Sequence, residues 1–258
     1  MNETLNIALV QTHLHWENPV ANKQMLQEKL DALTTQVDII ILPEMFTTGF
    51  TMNPDHVDKK EGNGTINWMQ KQAKNKDAAI VGSIVYCANQ AYYNRLFFVK
   101  PDGTFDHYDK RHTFTLAGEH KVYKAGNART VINFKGFRIL PLICYDLRFP
   151  VWSRNDINYD VLLYVANWPK PRISAWETLL KARAIENMAY CIGVNRVGLD
   201  GSGYEYPGHS AIYDVLGEPL VFSEKETILE SQLSMSHILE QRKKLKFLND
   251  RDGFTLEY

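Results

Sequence analysis

The strongest constraint on this chain is a series of short, nearly continuous apolar runs separated by turn residues and helical patterns. Val37-Asp38-Ile39-Ile40-Ile41-Leu42 is the clearest of them. Such a run does not alternate to polar, so it suits a strand covered on both faces. Comparable runs at 5–10, 78–86, 96–99, 130–134, 138–144, 161–166, 190–197, 210–214 and 227–233 also read as strands. Pro101-Asp102-Gly103 and Lys135-Gly136 lie between such runs and predict hairpins. Hairpins demand antiparallel pairs, whereas helices between strands demand crossovers. The two together predict an α/β fold with a mixed sheet, or two sheets.

The helical patterns have readable ends. Asn18-Pro19 opens one that runs to Leu33, with Pro19 tolerated in the first turn. Thr65 is placed to cap a helix over 66–76. The longest pattern covers 174–188, where Ser174 and Glu177 fit a capping box. Trp176, Leu179, Leu180, Arg183 and Asn187 share one stripe of it. A more polar helix is expected over 234–246, followed by an irregular tail.

Composition narrows the class. A chain of 258 residues buries roughly 70–75% of its unfolded surface. One domain over 1–258 is therefore expected, with 243–258 a C-terminal tail. Lys plus Arg number 29 and Asp plus Glu 30, a net charge of −1. The densest basic cluster is Arg242-Lys243-Lys244 with Lys246, so nucleic acid is not the expected partner. No apolar stretch approaches the ~20 residues that span a bilayer, and no signal peptide is expected. Three cysteines, Cys87, Cys144 and Cys191, cannot all pair internally. A disulfide scaffold is not expected and a cytoplasmic location is.

One of those thiols stands apart. Cys144 ends a strand-like run and is followed by Tyr145-Asp146-Leu147-Arg148-Phe149-Pro150. A residue on such a turn is pushed out of the pleat as in a nucleophile elbow, and the turn leaves backbone N–H groups free for an oxyanion. The competing reading, a small buried hydrophobe, is the commoner one for a free Cys on local context alone; for Cys87 and Cys191, within apolar runs, it is preferred more strongly. Glu44 follows the run ending at Leu42-Pro43, where partial desolvation suits a base. Tyr108-Asp109-Lys110-Arg111-His112 follows a hairpin strand and carries a cation. Read alone, each of the last two is more commonly a solvated or ion-paired charge. His13 and His15 share one side of an extended segment, but two histidines do not make a metal site. With no His-Glu-x-x-His and no paired cysteine ligands, neither metal nor cofactor is expected.

Together these segments resemble the nitrilase superfamily of carbon–nitrogen hydrolases. Leu42-Pro43-Glu44-Met45-Phe46, Asp109-Lys110-Arg111-His112 and Cys144-Tyr145-Asp146-Leu147-Arg148-Phe149-Pro150 occur in the family's order. Ala166-Asn167-Trp168-Pro169 and Ala182-Arg183-Ala184-Ile185-Glu186-Asn187 extend the likeness. Phe46-Thr47-Thr48-Gly49-Phe50 and Ala117-Gly118-Glu119-His120 resemble the bacterial omega-amidase branch.

The resemblance implies a four-layer α-β-β-α sandwich with two mixed sheets. It implies a Glu44–Lys110–Cys144 triad with Glu119 as a second glutamate, and hydrolysis of the terminal amide of 2-oxo acids through a thioester. Glu44 takes the Cys144 proton during attack, or the thiol is already ionised beside Lys110. Lys110 and the Tyr145 N–H would hold the oxyanion. Arg148 and Arg172 are candidates for the substrate carboxylate, with Asp146 or Glu186 as rival partners for Arg148. Phe46, Phe114, Trp168 and Trp176 would wall the pocket. The alternatives are another amidase of the superfamily, acting on N-carbamoyl amines or deaminated glutathione, and a non-catalytic binding member. The partners expected are a small amide substrate and further copies of this chain in a dimer or larger assembly, with the helix over 174–188 a candidate for the shared face.

Overall fold

A computed structural model describes residues 3–256. The run around Ile40 shows how the layers are built. Ile39–Ile41 forms β2, flanked on both sides by parallel strands, β1 (Thr4–Gln11) and β3 (Ala79–Ala88). Ile39 and Ile41 point into one core, and Ile40 and Leu42 into another. Strand parity turns a continuous apolar run into two buried faces. Ile40 and Leu42 meet Leu26 and Leu30 of α1 (Pro19–Ala32), and Met69 and Ala73 of α2 (Glu61–Lys76). Ile39 and Ile41 share their cluster with the second sheet.

The first sheet continues with β4 (Ala91–Val99) and β5 (Phe105–Asp109), and β14 (Thr227–Ser234) closes its other edge, in the order β14-β1-β2-β3-β4-β5. The second contains β6 (Ile132–Phe134), β7 (Phe137–Ile143), β8 (Val161–Ala166), β9 (Tyr190–Asn195), β12 (Ser210–Tyr213) and β13 (Pro219–Ser223), in the order β13-β12-β9-β8-β7-β6. Each sheet has three central parallel strands and antiparallel edges. After the short α3 (Pro150–Ser153), helix α4 (Ile173–Asn187) covers the second sheet with Trp176, Leu180 and Ala184, and α5 (Met235–Leu245) adds Ile238. The four layers are helices, sheet, sheet, helices. No helix among the described residues is long and apolar enough to cross a membrane.

Both expected hairpins form. Gly103 takes φ +84°, and Lys135 and Gly136 take +46° and +87° between β6 and β7. A third joins β3 to β4 through Asn89 and Gln90, at +48° and +62°. With no glycine there, the sequence offered little sign of that turn, and β4 was expected only from Leu96. A separate two-stranded ribbon, β10 (Val197–Leu199) with β11 (Glu205–Pro207), was also unexpected.

Two expected helix starts differ. The second helix starts at Glu61, so Thr65 lies inside it and its hydroxyl donates to Glu61 Oε1 at 2.9 Å. There is no capping box at Ser174, because a 3₁₀ turn at Lys170–Arg172 leads directly into α4. Glu177 turns away to His209, its Oε1 lying 2.5 Å from Nδ1. The last helix, α5, ends at Leu245, within one residue of its expected end, and a 3₁₀ turn covers Phe247–Asp250. Part of the expected tail is therefore ordered, and Arg251 donates to the Asn155 carbonyl at 2.7 Å. Glu257 and Tyr258 lie outside the described residues.

Candidate active site

Strands β2, β7 and β8 run parallel within their sheets, and the residues that follow them meet beside the end of β5. Ligands of α/β sheets bind at such carboxyl ends. Glu44 follows β2, Lys110 follows β5, Cys144 follows β7 and Asn167 follows β8. Glu44, Lys110 and Glu119 are all buried. Lys110 Nζ lies 2.9 Å from Glu44 Oε1, and 3.0 and 2.9 Å from the two oxygens of Glu119. Phe50 covers the ammonium, its ring centroid 5.0 Å from Nζ.

Cys144 is held by backbone strain at the elbow. Its φ is +45°, in the left-handed region that costs a non-glycine residue about 1–3 kcal/mol. That conformation starts a 3₁₀ turn over Cys144–Arg148. As a first-turn residue, Tyr145 has no acceptor within the turn for its N–H. The thiol sulfur lies 3.9 Å from the Asn167 carbonyl oxygen, and Glu44 is the charge acting most strongly against its ionisation.

The electrostatics bear on the two ionisation schemes. Burial, then Glu44, push the Cys144 thiol well above its ordinary value, and Lys110 offsets them only in part. Burial and Glu44 both favour the neutral thiol over the thiolate. Burial alone would lower the Lys110 pKa, but Glu119 and then Glu44 reverse that and hold the ammonium charged. Burial also raises Glu119, against the pull of Lys110.

Two asparagines complete the cluster. Asn94 Nδ2 donates to Glu44 Oε1 at 2.8 Å and to Glu119 Oε1 at 3.2 Å. The Asn167 N–H donates to Glu44 Oε2 at 2.8 Å, and its Nδ2 to the Glu44 carbonyl at 2.7 Å. Sequence reasoning gave neither a role. The available signal for Asn94 was an amide within Tyr92-Tyr93-Asn94-Arg95-Leu96-Phe97, since a buried polar group needs partners.

A cavity of about 320 Å³ opens over Cys144. Phe114, Tyr145, Arg148, Trp168 and Arg172 line it, all expected there. Arg148 lies over the Trp168 ring at 5.0 Å and Arg172 over Phe114 at 5.2 Å. Neither rival carboxylate turns to Arg148. Asp146 is taken by Tyr108, His112 and Ile143, and Glu186 by Arg183.

Phe46 and Trp176 are not in the wall. Phe46 is buried beneath α2, so close to Gly82 that a Cβ there would lie 2.8 Å from its ring. The left-handed turn at Met45, φ +44°, sends Glu44 into the site and Phe46 into the core. Trp176 is wholly buried behind Trp168 and donates from Nε1 to the His209 carbonyl at 2.7 Å. In their place Trp16, Met52, Tyr204 and Tyr206 complete the cavity. They come from loops and from the unexpected ribbon, which no local pattern connects to Cys144. The other thiols take no part: Cys191 is in the core and Cys87 is half-buried in β3.

A thiol and a free N–H at the cavity, with a buried carboxylate and ammonium behind them, are equipped for nucleophilic attack on an amide. The comparisons agree with that geometry. Residues 6–243 match the family model described as carbon–nitrogen hydrolase. A protein named omega-amidase YafV, from Escherichia coli strain K12, is 45% identical over 98% of both chains. A 2-oxoglutaramate amidase of Bacillus subtilis strain 168 is 31% identical over 95% of this chain and 96% of its own. The solved structure of XC1258 from Xanthomonas campestris, a CN-hydrolase superfamily protein with an arsenic adduct in its active site, superposes with a TM-score of 0.95. It is 41% identical and covers 98% of this chain and 99% of that one. The chain belongs to the carbon–nitrogen hydrolase family, within the nitrilase superfamily and on its omega-amidase branch.

Proposed function

We propose that this chain is an omega-amidase hydrolysing the terminal amide of 2-oxo acids such as 2-oxoglutaramate and 2-oxosuccinamate, with Glu44, Lys110, Cys144 and Glu119 as its catalytic residues. The observation that carries this reading is the buried Glu44–Lys110–Glu119 ion cluster, with Lys110 2.9 Å from each carboxylate, behind the strained Cys144 elbow that lines the cavity. The names of the relatives support the substrate class.

In the proposed reaction Glu44 takes the Cys144 proton as the sulfur attacks the amide carbon. The oxyanion is stabilised by Lys110 and the Tyr145 N–H. Collapse breaks the carbon–nitrogen bond, and Glu44 returns its proton to the departing ammonia. Water enters and loses a proton to Glu44, and its oxygen attacks the thioester. The dicarboxylate leaves and the thiol is restored. Glu119 holds Lys110 throughout. Arg148 and Arg172 meet the 2-oxo carboxylate, with Phe114, Tyr145 and Trp168 around the carbon chain.

Cavity size bears on the alternatives. At about 320 Å³ it sits at the lower end of the ~300–1,000 Å³ typical of ligand sites. That favours a five-carbon acid over a peptide-sized amide such as deaminated glutathione. The reading extends to a single domain and to a homo-oligomer in the cytoplasm. Ile185 on α4, 46% exposed, supports an assembly face there. Light scattering and cell fractionation test these two points.

The decisive test is ammonia release from 2-oxoglutaramate, with N-carbamoyl amines and deaminated glutathione alongside. Release above a Cys144→Ala control is expected for the first substrate, and none above that control would sink the proposal. Mass spectrometry should find the acyl adduct on Cys144; an adduct on Cys87 or Cys191 would reassign the nucleophile.

A further inference from the structure

Asp146, two residues after Cys144, is fully buried, and its carboxylate accepts four hydrogen bonds. Oδ1 accepts the His112 backbone N–H at 2.9 Å and His112 Nδ1–H at 2.8 Å. Oδ2 accepts the Tyr108 hydroxyl at 2.8 Å and the Ile143 N–H at 3.0 Å. Four is about the full acceptor capacity of a carboxylate.

The donors come from two separate stretches of backbone. Tyr108 and His112 bracket Lys110 at the edge of the first sheet, and Ile143 immediately precedes Cys144 in the second. The bond from Ile143 closes the turn around the strained φ of Cys144. The bonds from Tyr108 and His112 pin the lysine segment to that same turn.

Each donor is itself fixed. The Tyr108 oxygen accepts the Arg111 N–H at 3.1 Å and Trp152 Nε1–H at 3.0 Å while donating to Asp146, so all its positions are used. Burial, then Asp146, push the phenol well above its ordinary value, which keeps it a donor. The His112 ring stacks on Phe149 at 3.7 Å and 5°. From the far side, Arg183 of α4 donates to the Leu147 carbonyl at 2.7 Å.

We propose that Asp146 is a positioning residue for the amidase reaction: through Tyr108, His112 and Ile143 it sets where the Lys110 ammonium stands relative to the Cys144 sulfur. The proposal rests on the amidase reading above, yet its key readout requires no amide. Asp146→Asn keeps the volume but offers one acceptor oxygen and one donor NH₂. Whichever way the amide turns, its NH₂ faces either the two donors of His112 or the Ile143 N–H. One half of the clamp is therefore released. Glu44 remains held by Asn94 and Asn167, so the geometry lost is that of Lys110 against the thiol.

The test compares parent, Asp146→Asn, Tyr108→Phe and the double variant. Folding is followed by circular dichroism, turnover with 2-oxoglutaramate, and Cys144 alkylation by iodoacetamide across pH. Asp146→Asn is expected to fold and to lose about 100-fold in kcat with KM nearly unchanged, the scale of a misplacement of ~1 Å near reacting groups. Its alkylation profile should move to higher pH, because the thiolate loses its cation. Tyr108→Phe should move both readouts less, in the same direction, and add nothing in the double variant. Unchanged alkylation profiles in folded variants would overturn the proposal. So would a loss of kcat matching the unfolded fraction. If Asp146→Asn does not fold, Tyr108→Phe decides alone by the same readouts. If the parent hydrolyses no 2-oxoglutaramate, the substrate assignment fails and the alkylation profiles still decide the role of Asp146.

Discussion

The Asn167 N–H donates to Glu44 Oε2 at 2.8 Å, so the carboxylate leaving one sheet is oriented by the loop leaving the other. The bond joins residues 123 positions apart and fixes the carboxylate that pairs with the Lys110 ammonium.

Replacing that carboxylate should separate reactivity from turnover. Glu44→Gln removes the base, and turnover is expected to fall ~10²–10⁴-fold. It also removes the largest charge opposing the Cys144 thiolate. Alkylation of Cys144 by iodoacetamide at mildly alkaline pH should therefore become faster. Slower alkylation would mean that Glu44 does not set the state of the thiol.

Lys110→Met should act on alkylation in the opposite sense. Turnover is expected to fall by at least the ~10²–10³-fold typical of losing one oxyanion donor. The thiol pKa, which Lys110 lowers, should rise further, so alkylation slows. Glu44 and Glu119 are left buried without their cation, at a cost of about 3–5 kcal/mol measured by denaturant unfolding.

The two pocket arginines should appear in KM. Arg148→Gln and Arg172→Gln each remove a candidate partner for the 2-oxo carboxylate. A hydrogen bond to a charged group contributes about 1.5–3 kcal/mol, so KM for 2-oxoglutaramate should rise roughly tenfold or more in each. The KM of a neutral amide of equal length should stay where it was. A rise for both amides would point to a collapsed pocket wall.

Stability in acid should report on Glu226, away from the site. Burial favours its protonated form, but hydrogen bonds from Lys29, Thr12 and His13 prevail and hold its pKa at about 2. The folded value lies below the ordinary 4.5. The extra stability is therefore present above 4.5 and is lost as pH falls toward about 2. The side chain is 38% exposed, so solvent screening limits the effect to about 1 kcal/mol or less. Glu226→Gln should melt earlier than the parent at neutral pH, and the gap should close in acid.

The local sequence contained most of the framework. Apolar runs such as 37–42 mark strands buried on both faces, because such a run fits no half-exposed strand. Lys135-Gly136 marks a hairpin because its backbone needs positive φ. Cys144, Glu44 and Lys110 were legible as strand-end residues, since chemistry sits where pairing stops and side chains are released.

Only the tertiary structure decided what those residues face. Phe46 and Trp176 are aromatic and close in sequence to pocket residues, yet both pack into cores, because side-chain direction at a turn depends on backbone angles such as φ at Met45. Asn94, Asp146 and Asn167 gain their roles from partners 25 to 123 residues away, which no local pattern encodes. The charge state of the thiol belongs to the same class. Three cysteines look alike as residues, and what separates Cys144 is its place beside a carboxylate and an ammonium that the two sheets bring to one point.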